Sequence, residues 1–260
     1  MPGAQVSPTR VDPDQAGIGI GQAAAVWTIT WIVGNLLGAM VIAATGYKTT
    51  ADAPVWVTMV LAVGLWAPML VGMWVVADRS GRSAGRLKSG RDFGIHEFAD
   101  EYGLRFKVVD LLGVPIGVLS QLVLLRSIYW PLERAWPDTF SRSRVERNAR
   151  DLYDRAHGGW LIGLVVIVVI GAPIVEELMY RGLLQGSAVR RLNDAVAVVA
   201  VAAFFAFIHF RWVEFPGLFA FGLVLGVCAL RTRRLGMSMV THMAFNATGL
   251  LLVAWAGTTR

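Results

Sequence analysis

The chain is built from apolar blocks of about 17–23 residues separated by polar, arginine-rich connectors. That block length is what a helix needs to cross a hydrocarbon core of ~30 Å. We place seven candidate spans, at residues 26–45, 55–77, 111–130, 160–179, 195–210, 215–230 and 237–255. The fifth and sixth are short, as expected of spans that tilt, re-enter or are extended by interfacial turns. Composition agrees: of 260 residues, 55% are hydrophobic and 16% charged, against about 25% charged in soluble domains. The fold class is therefore all-α, a polytopic transmembrane helical bundle of about seven spans plus amphipathic connectors. It divides into a polar N-terminal segment (1–25), N-terminal helices with two long connectors (26–158) and a C-terminal helical core (159–256).

The ends and connectors set the surroundings. The first 20 residues contain Pro2, Pro8, Pro13, Asp12 and Asp14. They lack the short apolar core of a cleavable signal peptide, so the first span is expected to remain as an anchor. The single cysteine, Cys228, lies in an apolar run and reads as a small buried hydrophobe. The net charge of +6 does not point to nucleic acid, because the basic residues sit between apolar blocks, where loops face anionic lipid. With seven spans, the side shared with the N-terminus carries 14 Lys/Arg and the other side 10. That bias favours a cytoplasmic N-terminus. We expect an integral, multi-pass protein of a prokaryotic plasma membrane; nothing in the sequence indicates its oligomeric state. Trp56, Trp74, Trp130, Trp160 and Trp255 fall near span ends, as aromatic belts do. Gly34/Gly38, Gly113/Gly117 and Gly222/Gly226 have the spacing that permits close helix approach. The connector 133–157, with six arginines and five acids, reads as a surface helix.

Charge inside an apolar block needs an explanation, since an ionised side chain at the centre of a span costs at least ~2.5–3.5 kcal/mol. The C-terminal half holds such groups in sequence: Glu176, Glu177 and Arg181 on the fourth span, His209 ending the fifth, and His242 with Asn246 on the seventh. Glu177 and Arg181 are four residues apart with the acid first, the favourable order for an ion pair on one helix face. Glu176 points about 100° away from Glu177. It is thus free to face a cavity, where a carboxylate without a cation beside it is a better base. His242 and Asn246 share a face of their helix. Pro173, just before the acids, removes a backbone hydrogen bond and loosens the helix there. Each group alone has an ordinary structural reading as an anchor, ion pair or interhelical contact. All of them in successive spans point to a site. His96 and His157 lie in charged connectors and read as solvated. Gly-x-Ser-x-Gly and His-Glu-x-x-His are both absent, so neither a serine nucleophile nor a standard zincin site is supported.

The ordered set Glu176-Glu177-x-x-x-Arg181, Phe205-x-x-x-His209 and His242-x-x-x-Asn246 resembles the three-motif signature of the CPBP family. That family comprises the CAAX proteases and bacteriocin-processing enzymes, also called Abi proteins. The resemblance covers roughly residues 160–255, and the three N-terminal spans share no such likeness. It implies a glutamate-dependent intramembrane endopeptidase on an all-helical fold, acting on membrane proteins or peptides. It also implies roles: Glu176 and His209 activate water, His242 and Asn246 form the oxyanion hole, and Glu177 with Arg181 supports the site.

The chemistry of these residue types agrees. Peptide hydrolysis needs a base for water and donors aimed at the developing oxyanion, each donor worth ~3 kcal/mol. The family has also been described as metalloproteases. Glu176, His209 and His242 could supply three ligands to a divalent metal such as zinc, with a fourth position open. Two other classes remain at this stage. One is a non-catalytic immunity or scaffold protein that retains the polar cluster. The other is a small proton-coupled transporter, which should show polar residues across several spans and an inverted repeat; the first three spans are sparse in such residues.

Overall fold

In the computed structural model, which describes residues 17–50, 52–83 and 93–258, the chain is helical throughout with no strand among those residues. Six helices are long and apolar enough to cross a membrane. They are α1 (Ile20–Thr45), α2 (Val55–Arg82), α4 (Val108–Ala135), α6 (Trp160–Ala188), α8 (Phe215–Thr232) and α9 (Gly236–Ala256). A shorter apolar helix, α7 (Asp194–Phe207), stands where the sequence places the fifth span. Its 14 residues rise only ~21 Å, less than the ~30 Å of hydrocarbon. Two amphipathic pieces lie between spans: α3 (Ile95–Tyr102) and α5 (Arg147–Arg155), the latter preceded by single turns at Pro137–Phe140 and Arg142–Val145. The polar segment up to residue 16 and the basic residues Arg86, Lys88 and Arg91 lie outside the described residues.

The apolar side chains divide between lipid and core. Ile29, Leu36 and Met40 on α1, Val63 and Val71 on α2, and Leu251 on α9 are exposed. They form the lipid-facing surface that a bilayer-spanning helix requires. The buried core gathers Met73, Met179, Leu183, Phe205, Phe221, Leu225 and Met239. Glu177, an acid, is fully buried as well.

Both ends of the bundle are tied by polar contacts. On the side of the N-terminus, Tyr102 of α3 donates its hydroxyl to Met73 O at 2.6 Å. Burial, with Glu101 beside it, pushes that hydroxyl well above its ordinary pKa, so it stays a donor. Nearby, Asp110 accepts from Arg234 Nη2 at 2.7 Å and from Lys107 N at 2.7 Å, joining the start of α4 to the α8–α9 turn. On the opposite side, Arg155 Nη1 donates to Ala53 O at 2.9 Å, and Asn148 Nδ2 to Glu214 Oε1 at 2.5 Å. The connector 133–157 is thus not a free surface helix: α5 is anchored to the α1–α2 loop and to the start of α8.

The Gly113/Gly117 pair seats α4 against α9. A Cβ on Gly113 would lie 2.8 Å from Met237 O, and one on Gly117 would lie 2.8 Å from Ala244 Cβ. Only hydrogen at these positions lets the two backbones meet, on either side of the turn that carries His242.

Candidate active site

The fourth span departs from a regular α-helix where its chemistry begins. Val166–Gly171 and Glu177–Gln185 are π-helical turns flanking the α-helical Ala172–Glu176. Single π turns inside α-helices recur at functional sites. Glu176 sits at the junction, with its side chain 26% exposed toward a cavity, while the Glu177 side chain is 0% exposed. Adjacent positions on one helix thus put one acid in the cavity and the other in the core.

Glu177 is held on two sides. Arg181 Nη1 donates to its Oε1 at 3.0 Å, and the same oxygen lies 3.0 Å from His242 Nδ1. The first contact is the local pair expected from spacing. The second is not: His242 is bonded to Glu177 and stands farther from Glu176, with Nε2 at 3.9 Å from Oε2. Arg181 also donates Nη2 to Gly222 O at 3.2 Å and lies over the Phe205 ring at 4.7 Å. One turn on, Gln185 Nε2 donates to Gly226 O at 2.9 Å. The Gly222/Gly226 spacing therefore opens two carbonyls of α8 to two side chains of α6.

His209 follows the end of α7. Asn193 starts that helix by accepting Ala195 N–H at 2.9 Å. It ends as Phe210 turns into the left-handed region at φ 52, which non-glycine residues rarely adopt. His209 Nδ1 lies 2.6 Å from Phe205 O. A carbonyl only accepts, so Nδ1 carries the hydrogen, and in the neutral ring Nε2 presents a lone pair. The ring packs edge-on to Phe205 at 4.8 Å between centroids. His209 forms no ion pair with either glutamate among the described residues. On α9, Asn246 Nδ2 donates to Val168 O at 2.8 Å. His242 is flanked by Phe205 and Phe221, at 6.1 and 5.4 Å.

Glu176, His209, His242 and Asn246 all line one cavity of about 290 Å³. It reaches past them to Glu146 and Asn148 near and on α5, and to Arg211 and Glu214 before α8. Glu177 and Arg181 are not part of its lining and stand behind it. Glu176, His209 and His242 were the set that a metal would need. Among the described residues no group of three His, Cys, Asp or Glu comes close enough to hold a metal ion, and this trio does not fit one.

Residues 158–248 match the family model described as type II CAAX prenyl endopeptidase Rce1-like. All three motifs lie inside that stretch. That match is consistent with the CPBP family. At the level of the family it supports a CAAX-type membrane endopeptidase, here within a multi-pass membrane protein. The match takes in about a third of the chain, and α1 to α5 stand outside it. No curated protein and no solved structure matches the chain.

Spacing alone did not reveal the partners of these residues: the Phe205 and Phe221 rings around His242, the Val168 carbonyl under Asn246, and Gln185. One usable signal was there. Arg181/Gln185 and Gly222/Gly226 are both four residues apart, so two polar groups face two bare carbonyls in register.

Proposed function

We propose that the protein hydrolyses peptide bonds of membrane-associated proteins or peptides with a water activated by Glu176 and His209. The single observation that carries this reading is the convergence of four side chains, from α6, the turn after α7, and α9, on one cavity. Of the two adjacent acids only Glu176 faces that cavity, while Glu177 is spent on Arg181 and His242.

In this scheme Glu176 accepts a proton from water, and the His209 Nε2 lone pair orients the water through its second hydrogen. The oxygen bonds to the scissile carbonyl carbon, and the carbonyl electrons move to oxygen. Asn246 Nδ2 donates to that oxyanion. His242 adds a second donor: with Nδ1 turned to Glu177, its Nε2 carries a hydrogen in the imidazolium form. The C–N bond then breaks, and the proton held by Glu176 passes to the leaving amine. Water and peptide give an acid and an amine, with no net proton change at the protein.

The test compares membrane-protein fragments in cells making the intact protein and Glu176→Ala, with insertion checked by fractionation. Loss of a positioned base lowers the rate about 10²–10⁴-fold, so substrate fragments present with the intact protein should vanish with the variant. Fragments that persist at the same level sink the proposal. Cleavage by purified protein that is abolished by chelation and restored by zinc would replace this scheme with a metal-dependent one.

A further inference from the structure

We infer that Pro173 is a positioning residue for Asn246, acting through the backbone carbonyl of Val168. The catalytic consequence rests on the peptidase reading above; the physical link does not. In the π turn Val166–Gly171, backbone donors reach five residues back, and Ala172 N–H bonds to Ile167 O. The next donor in that register would be residue 173 and its acceptor Val168 O. Residue 173 is proline and has no N–H. Val168 O is left without that helical partner in the interior of a membrane protein, where an unmatched carbonyl is costly. Asn246 of α9 supplies the donor, with Nδ2 at 2.8 Å.

The consequence reaches the cavity. Val168 and Asn246 both line it. Once one amide hydrogen is committed to Val168 O, the plane of the amide is fixed, and its remaining N–H and its carbonyl are what it offers to a substrate. The proline and the asparagine lie 73 positions apart on α6 and α9. They act as one unit because a missing hydrogen on one helix creates the acceptor that orients a side chain on another.

The experiment is a double-mutant cycle on the full-length protein in detergent or proteoliposomes, with Pro173→Ala, Asn246→Ala and the double variant. Alanine is the better helix former, so Pro173→Ala does not break the helix; it restores a donor that competes for Val168 O. Pro68→Ala on α2 is the control for proline removal away from the site. Pro173→Ala is expected to lower kcat about ten- to a hundredfold with little change in KM, as for a displaced oxyanion donor. In the Asn246→Ala background it should cost no more than about twofold further. Full additivity of the two losses, or wild-type kcat in Pro173→Ala, overturns the inference. A second readout is independent of activity: hydrogen exchange of the Asn246 side-chain amide, followed by NMR with 15N-asparagine. Faster exchange in Pro173→Ala supports the link, and unchanged exchange overturns it. A wild-type protein with no peptidase activity would sink the proposed function, and the exchange measurement would still decide this inference.

Discussion

Glu177 and Arg181 form an ion pair with no side-chain exposure at either end. Removing one member of such a pair strands the other in a medium that cannot solvate it, which costs ~3–5 kcal/mol. Glu177→Gln should therefore lower the unfolding free energy in detergent by an amount in that range, read from a fall in the thermal midpoint. It should also release His242 Nδ1 from its charged partner. Arg181→Lys should not substitute, because a single ammonium cannot reach Glu177 and Gly222 O together with the planar fork of a guanidinium. An unfolding free energy within about 0.5 kcal/mol of the wild type for Glu177→Gln would mean that the pair contributes no more than an exposed one. Glu176, one residue earlier, is the opposite case: its side chain is partly exposed to the cavity and makes no such buried pair.

Among the elements, α6 touches most of the site, and the approach of α8 to it is set by glycine. A Cβ on Gly226 would lie 2.9 Å from Gln185 Oε1 and 2.9 Å from Val198 Cγ1. Gly226→Val should thus destabilise by about 1–3 kcal/mol through overpacking. Gly64, in the middle of α2, has nothing within 4 Å of a built Cβ. Gly64→Ala should be neutral or stabilising by about 0.5–1 kcal/mol, since glycine gives up more backbone freedom than alanine. Midpoints of the two variants measured side by side check both directions. Equal destabilisation would show that helix propensity, and not the close approach, dominates at Gly226.

For the whole molecule, the connectivity puts α3 and the α8–α9 turn at one end. The α1–α2 loop, α5 and the polar end of the cavity lie at the other. Arg181, counted with the loops on spacing alone, is buried inside the bundle. That takes one charge off the richer side, and the bias toward a cytoplasmic N-terminus stays. Single cysteines report orientation directly, because the native Cys228 is buried. Lys48→Cys and Arg231→Cys lie on exposed positions at opposite ends. A membrane-impermeant maleimide added outside intact cells should label Lys48→Cys and spare Arg231→Cys. The reverse pattern would invert the bundle and turn the polar end of the cavity to the cytoplasm.

Span number, the polar constellation and the Glu177–Arg181 pair were legible in the sequence because each depends on short range. Burial of twenty or so apolar residues in lipid needs only length, and an i,i+4 pair needs only one helix. The end of the fifth span was less legible. Ile208 and Phe210 are as apolar as a helix would want, yet the chain leaves the helix with Phe210 in the left-handed region. The π turn Val166–Gly171 left no mark either, since an unbroken apolar run reads the same in either register. Residues four apart reported nothing about residues 65 or 78 apart. His242 on Glu177 and Asn246 on Val168 O are contacts of packed helices, not of neighbouring positions. The sequence by itself determined that this chain spans the membrane as helices and carries acids, histidines and an amide at depth, because hydropathy and charge act on each segment alone. Only the tertiary structure decided which acid faces the cavity and what holds each side chain, because those depend on which backbone groups another helix leaves open.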